Sequence, residues 1–280
     1  MIKKEAITGS GVWAKFLMSY IFSSAAVMTA VIPTPSLASP MTPNTRSGRE
    51  VEIKNFTFTT KREAKYLLAK LTKNLHLAKG DLLFCKTSPL DIPTLQTLTS
   101  LGFYMVEEAV EISFDLSHWD PRAFIQNRQH DYRLIPATAH HLPMIKKIAG
   151  SAFTHDRYHL DKNIPSRGAN RRYAGWVETS MKGPDEVFTF LNDKDAVSGF
   201  FIIAQNSQGT NLRLAAIDPP LVGKGLGKQL YFAMLTWLKK QGRTTIQTQI
   251  SLNNMAVFNV YTYLVHPKVI KLEVVLHQII

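Results

Sequence analysis

Between an apolar run and an amphipathic stretch, Val222-Gly223-Lys224-Gly225-Leu226-Gly227 sets glycines at alternate positions, a spacing suited to holding a phosphate. Without Cβ atoms the backbone turns tightly, and successive N–H groups come close to a ligand. A helix starting at the loop's end adds its unpaired first-turn donors and the positive end of its dipole, so a pyrophosphate is the guest this chemistry fits. The plainer alternative is a strand-to-helix turn whose glycines serve conformation alone.

The flanking residues supply the elements the loop needs. Leu212 to Ile217 is a short apolar run ended by Asp218-Pro219-Pro220, which cannot continue a ladder. Leu226, Leu230, Ala233, Met234 and Trp237 recur at helical spacing up to Gly242. Two better-known phosphate patterns do not fit. The dinucleotide fingerprint wants a wider final glycine spacing and an acidic residue about twenty positions on, yet no Asp or Glu lies between Val222 and Leu272. The nucleoside-triphosphate loop ends in Gly-Lys-Ser/Thr, whereas Gly227-Lys228-Gln229 has no hydroxyl for magnesium.

A second motif follows one strand later. After Thr244 to Ile250, Asn254 opens a helix on which Tyr261 lies two turns further along the same face. A tyrosine hydroxyl placed beside a thioester sulfur can protonate a departing thiolate, although an ordinary pKa near 10 makes it a weak acid. The alternative for Tyr261 is a core aromatic, with Val257, Tyr263 and Leu264 as helical neighbours.

Ile217 to Leu230 resembles the strand, Pro-containing turn, glycine loop and helix of the GNAT acetyltransferase superfamily, and Asn254 to Tyr261 resembles that family's Asn/Tyr helix. The resemblance covers about the last 150 residues. It implies acetyl-CoA as co-substrate, held by Ile217, Val222, Gly223, Lys224, Gly225, Leu226, Gly227, Lys228 and Asn254, with Tyr261 as the catalytic proton donor and no metal. Two positions depart from the family: Val222 stands where Arg or Gln is usual, and Val265-His266-Pro267 follows the tyrosine helix where Gly-Phe is usual. His266, at a helix exit beside proline, is read as a loop residue without a chemical role.

The acceptor is suggested by a second, finer resemblance. Phe153 to His159 and Ile164 to Val177 resemble the group that acetylates amino-sugar nucleotides, with the dTDP-fucosamine acetyltransferases nearest, and Leu101 to Glu107 resembles the end of that group's N-terminal module. A sugar diphosphate calls for cations, hydroxyls and an aromatic platform. Arg157, Tyr158, His159, Asn170 and Tyr173 are the candidate acceptor-binding residues, while Tyr173, Trp176 and Val177 also read as one buried helical stripe. The function implied is acetyl transfer to a primary amine, that of a nucleotide-linked amino sugar. The alternatives are another small amine or a peptide amine as acceptor, or a non-catalytic CoA-binding module.

The fold class expected is α/β: a GNAT fold, with a central mixed, mostly antiparallel sheet flanked by helices, and a smaller α/β N-terminal module. Residues 1–45 form an N-terminal segment and Pro-rich linker, 46–125 the N-terminal module and 130–280 the acetyltransferase domain. In the module, helices are expected at Lys61 to Leu75 and Ile92 to Ser100, and strands at Asp81 to Lys86 and Val106 to Leu116. Further on, helices are expected at Leu142 to Phe153 and Asn170 to Met181, and strands at Tyr132 to Ile135, Val187 to Leu191 and Gly199 to Gln205. No internal repeat is visible in the sequence.

Composition narrows the partners. The lone Cys85 excludes an internal disulfide framework, and its apolar neighbours Leu82, Leu83 and Phe84 mark it as a buried structural thiol. The net charge of +12 comes from scattered residues without a zinc, helix-turn-helix or RNP-like signature, so nucleic acid is not expected. Positive potential also speeds encounter with polyanions such as coenzyme A or a sugar nucleotide. The reading leaves room for a homodimer. Lys3 and Lys4, the uncharged run Phe16 to Ile32 and Ser36-Leu37-Ala38 together have the form of an export signal. Ser19, Ser23, Ser24 and Thr29 make that run too polar for a stable membrane span, and Pro33 to Pro43 reads as a linker. Because acetyl-CoA is a cytoplasmic metabolite, the cytoplasm is the expected location; export is the alternative if residues 1–38 are a signal peptide.

Overall fold

The computed structural model describes residues 2–7, 15–23, 26–32, 49–124, 132–207 and 209–280. The chain forms two compact units, and it visits the first more than once. Met1–Glu108, Arg157–Ala169 and Glu273–Ile280 make the first unit; Ala109–Asp156 and Asn170–Leu272 make the second. Beside the expected boundaries of 46–125 and 130–280, Arg157–Ala169, which holds a one-turn helix, and the C-terminal Glu273–Ile280 lie in the first unit.

In the first unit, β1 Ile2–Ile7, β2 Lys15–Ser23, β3 Ala26–Ile32 and β4 Glu50–Thr57 form an antiparallel meander. Helix α1, Lys61–Asn74, follows, then β5, Leu82–Thr87, parallel to β4, then α2, Ile92–Ser100. Thr60 and Glu63 start α1 with a reciprocal capping box, and Ala64, Leu67, Leu68 and Leu71 bury one stripe of it. The first four residues of β5, Leu82 to Cys85, are a continuous apolar run buried on both faces. Burial pushes the Cys85 thiol in that run up to about 12, so it is inert packing as expected. The last strand of this unit is Val274–Ile279, the end of β12 (Lys268–Ile279), antiparallel to β5.

The run Phe16 to Ile32, read in the sequence as the apolar part of an export signal, lies in β2 and β3 and pairs strand to strand. The cleavage-like Ser36 to Ala38 and the Pro33 to Pro43 linker lie outside the described residues. Among the described residues, no helix is long and apolar enough to cross a membrane.

The second unit begins with Ala109 of β6, Tyr104–Asp115. It continues through β7 Arg133–Pro136, α3 Leu142–Ala152, α5 Ser166–Lys182 from Asn170 onward, β8 Glu186–Leu191, β9 Val197–Asn206 and β10 Gly209–Ile217. The one-turn helix α4, Arg157–Leu160, precedes α5 in the chain and belongs to the first unit. Helix α6 Leu226–Lys240, β11 Thr245–Ser251 and α7 Met255–Val265 complete it. Its strands run in the order β6, β11, β10, β9, β8, β7, with β10 and β11 parallel and the other pairs antiparallel. The mixed, mostly antiparallel sheet flanked by helices is therefore as expected. Leu230, Met234, Leu235 and Leu238 of α6 pack with Phe201, Ile203, Leu212, Ile246 and Ile250 of the sheet. The Trp119 indole N–H donates to the Leu264 carbonyl at 2.7 Å and ties the segment after β6 to the end of α7.

Each unit thus ends on a strand from the other half of the chain: Ala109–Asp115 pairs with β11, and Val274–Ile279 pairs with β5. Val274, Val275 and Leu276 are at most 3% exposed. Burying each contributes about 1.5–3 kcal/mol, together a large share of the roughly 5–15 kcal/mol that holds a domain folded. Deleting residues 273–280 should therefore unfold the first unit, seen as lost helical circular dichroism and rapid proteolysis within Lys61–Thr87. A truncated chain melting within about 2 °C of the full chain would contradict this pairing.

Candidate functional site

The geometry that matters lies where β10 and β11 part. Parallel pairing between them runs from Thr210 opposite Ile246 to Leu212 opposite Thr248, while β10 continues to Ile217 and β11 to Ser251. An irregularity in the β9–β10 register between Leu212 and Leu214 coincides with the end of that pairing. A wedge edged by two strand backbones suits an extended ligand that hydrogen-bonds as an added strand.

The predicted loop lies at the end of β10. Ile217 is the last residue of that strand, and the 3₁₀ turn Pro219–Leu221 leads to Val222, which is 66% exposed. The usual Arg or Gln is thus replaced at a solvent-facing position, without consequence for the core. Gly223 and Gly225 take φ of 82° and 76°, and a Cβ on either would meet nothing within 4 Å, so both are chosen for the turn and stand over open space. Gly227 has ordinary helical geometry, and a Cβ there would touch Ile217 Cδ1 at 3.6 Å. Gly225 is the N-cap of α6 and contributes no side-chain cap; no acidic residue lies in the first turn. Lys224 and Lys228 are exposed beside these donors, the Lys228 ammonium 4.2 Å from the Tyr263 ring centroid, while Leu226 is buried beneath them. Cations, an uncapped helix start and open space over the glycines are features that suit an anion.

Tyr261 and Asn254 sit on α7 of the same unit. Asn254 is the N-cap, its Oδ1 accepting from Val257 N at 3.3 Å. Tyr261 is 1% exposed; its ring packs edge-on to Tyr231 at 5.2 Å and against Phe114 at 5.5 Å. Its hydroxyl lies near Thr248, the residue at which β10–β11 pairing ends and whose own hydroxyl donates to the Leu212 carbonyl at 2.9 Å. Burial holds the phenol well above its ordinary range, and neighbouring Tyr231 adds to that. Tyr261 is therefore both a core aromatic and a protonated hydroxyl at the inner end of the wedge. At the exit of α7, His266 takes φ of 46°, the left-handed cap for which the family uses glycine.

The acceptor candidates fall in both units: Arg157, Tyr158 and His159 in the first, Asn170 and Tyr173 in the second. Tyr173 is buried and stacks with Phe153 at 4.3 Å and with Trp176 at 6.2 Å, and Val177 is buried beside them, forming the expected helical stripe. Asn170 and His159 are half-buried. Arg157 and Tyr158 belong to a buried polar network invisible in the sequence. The Glu50 carboxylate accepts from Tyr158 OH at 2.6 Å and from Arg157 Nη2 at 3.1 Å, and the guanidinium lies 3.9 Å from the Phe84 ring centroid. Beside them, the fully buried His277 bonds Asp161 Oδ2 through Nδ1 at 2.8 Å. Asp161 also accepts from Tyr104 OH at 3.0 Å and from Asn163 N at 2.8 Å.

Burial holds the His277 imidazole below the ordinary histidine range; Asp161 pulls it up, and Arg157 pushes it further down. For Asp161, burial acts upward, but the bonds from His277, Asn163 N–H and Tyr104 outweigh it and keep the carboxyl low. A neutral His277 donating to an ionised Asp161 follows. Below the ordinary histidine pKa of about 6.5 the unfolded chain takes up a proton that folded His277 resists. The stability contributed is present above about pH 6.5 and is lost as pH falls through the depressed folded value; Asp161 has the same sign at lower pH. The melting temperature should fall between about pH 7 and 5 more steeply in wild type than in His277→Gln. Equal slopes would show that His277 does not couple protons to folding.

Comparison with known proteins agrees with this architecture. Residues 145–264 match the family model described as Acetyltransferase (GNAT) family. A tandem GNAT protein from the clavulanic acid biosynthesis pathway is similar at 12% identity, with 96% of this chain and 83% of that chain covered and a TM-score of 0.57. A GCN5-related N-acetyltransferase from Sphaerobacter thermophilus is similar at 10% identity, covering 95% and 80%, TM-score 0.60. A functionally unknown conserved protein from Staphylococcus epidermidis is similar at 10% identity, covering 99% and 95%, TM-score 0.61. No curated protein sequence matches. The chain has the GNAT acetyltransferase fold, and its family match falls on residues 145–264, which include the parted strands, the glycine loop and the tyrosine helix.

Proposed function

We propose that the protein transfers an acetyl group from acetyl-CoA to a primary amine. The observation that carries this reading is the combination in one unit of the parted β10–β11 strands, the open glycine cradle at the start of α6 and the Tyr261 hydroxyl at the inner end of the wedge. The pantetheine arm would lie along the exposed strand backbone with Asn254 beside it, and the pyrophosphate would rest on the amides of Gly223 to Gly227 with Lys224 and Lys228 nearby. The amine nitrogen attacks the thioester carbon, the C–S bond breaks as the tetrahedral intermediate collapses, and the thiolate takes the Tyr261 proton. The nitrogen releases its ammonium proton to solvent, and a proton from solvent restores the Tyr261 phenol. Holding donor and acceptor together supplies much of the acceleration.

The acceptor we propose is the amino group of a nucleotide-linked amino sugar; its support is the sequence resemblance over Phe153 to Val177. Asn170, half-buried in the unit that holds the donor site, is the candidate for direct acceptor contact, and Tyr173, in its aromatic stack, would position its helix; Arg157 and Tyr158 are held by Glu50 within the first unit.

Two variants test donor and chemistry separately. Gly225→Val puts a branched side chain into the open space over the loop, at a φ that only glycine adopts without strain of about 1–2 kcal/mol. Acetyl-CoA affinity should fall by at least about tenfold in a chain that still melts cooperatively; wild-type affinity would remove the cradle. Tyr261→Phe keeps the ring contacts and removes the proton. Turnover should fall about 10²-fold, with the loss in kcat rather than KM. A Phe variant within about threefold of wild type would leave Tyr261 with packing alone. Because burial raises the Tyr261 pKa, its proton is retained above the ordinary tyrosine range, and wild-type kcat should not decline up to about pH 10 through loss of that proton.

A further inference from the structure

Apart from the helices α3 to α5 inserted between β7 and β8, the first unit repeats the strand pairing and crossover of the second. β1 to β4 pair antiparallel in succession, as β7 to β10 do. A helix then crosses to a strand parallel to the last one, α1 to β5 in the first case and α6 to β11 in the second. A second helix and a long strand follow, α2 with β6 and α7 with β12. The correspondence extends to single residues. Asp91 caps α2 by accepting from Thr94 N at 3.2 Å, and Asn254 caps α7 by accepting from Val257 N at 3.3 Å. A residue with positive φ follows each helix, Gly102 at 94° and His266 at 46°. Even the parting of strands is repeated: β4 and β5 pair from Glu50–Leu82 to Ile53–Cys85, then continue to Thr57 and Thr87.

The chemistry is not repeated. The β4–α1 link is Phe58-Thr59-Thr60, short and without glycine. Its donors are already occupied: Glu63 Oε2 accepts from Thr59 N at 2.9 Å, Thr59 Oγ1 at 2.6 Å and Thr60 N at 3.2 Å. A carboxylate of α1 itself therefore sits where a phosphate would bind, and these bonds hold it below the usual carboxylate range. Two helical turns after the Asp91 cap, at the place equivalent to Tyr261, stands the fully buried Leu98, which has no proton to give.

We infer that the first unit is a second copy of the acyl-donor fold whose donor site is closed by Glu63 and lacks a proton donor, so that the chain takes up one coenzyme A. This rests on the donor site proposed at Gly223 to Gly227. Isothermal titration of the full chain with coenzyme A tests it. One coenzyme A per chain is expected, weakened at least about tenfold by Gly225→Val and changed less than about twofold by Glu63→Gln. Two per chain, or a site that survives Gly225→Val at full affinity, would overturn the closed first unit while leaving coenzyme A as the ligand. No binding to wild type would instead overturn the donor site itself, and the count of one with it.

Discussion

The account depends on one constraint: β10 and β11 are parallel neighbours whose pairing ends at Leu212 and Thr248, although both strands run further. Parallel strands need a crossover between them, here α6, so the start of that helix must lie at the end of β10. The glycine loop, the uncapped Gly225 and the exposed Lys224 and Lys228 are consequences of that placement. The same constraint puts Thr248 at the end of the pairing, near the Tyr261 hydroxyl. A strand pair zipped to its end would leave neither backbone to face a ligand nor a hydroxyl at its inner end.

Tyr261 shows how packing and chemistry share one residue. Its ring is fixed by Tyr231 and Phe114, which restricts where the hydroxyl can lie, and the burial that fixes it raises its pKa. The raised pKa makes the phenol a weaker acid, so in the proposed reaction the transfer would depend on the thiolate forming in the same desolvated surroundings. At the other end of α7, His266 in a left-handed conformation makes the turn for which the family uses glycine, at a strain of about 1–2 kcal/mol.

What could be read beforehand was what is written locally. The alternate glycines, the apolar stripe of α6 and the two-turn spacing from Asn254 to Tyr261 each depend on residues close in the chain, and the structure forms the loop and both helices at those positions. The network of Glu50, Tyr104, Arg157, Asp161 and His277 joins residues from separate segments, so no spacing announces it. It also changes the meaning of Arg157 and Tyr158, whose types suggested a ligand and whose hydrogen bonds go to Glu50. The uncharged run Phe16 to Ile32 has the composition of an export signal, and its composition did not announce the pairing of β2 with β3. The repeated topology was hidden for a related reason: where the second unit has Gly225 and Tyr261, the first has Thr60 and Leu98, so the fold persists without the residues that mark it.

Hydrogen–deuterium exchange on the full chain, with and without saturating coenzyme A, tests the central claim most directly. Backbone amides that bind a pyrophosphate and pantetheine must exchange more slowly when those groups are present. The account predicts slower exchange in Arg213 to Leu230 and in Gln249 to Tyr261, with Thr57 to Glu63 unchanged. Protection at Thr57 to Glu63, or coenzyme A binding that leaves Arg213 to Leu230 exchanging as before, would contradict it.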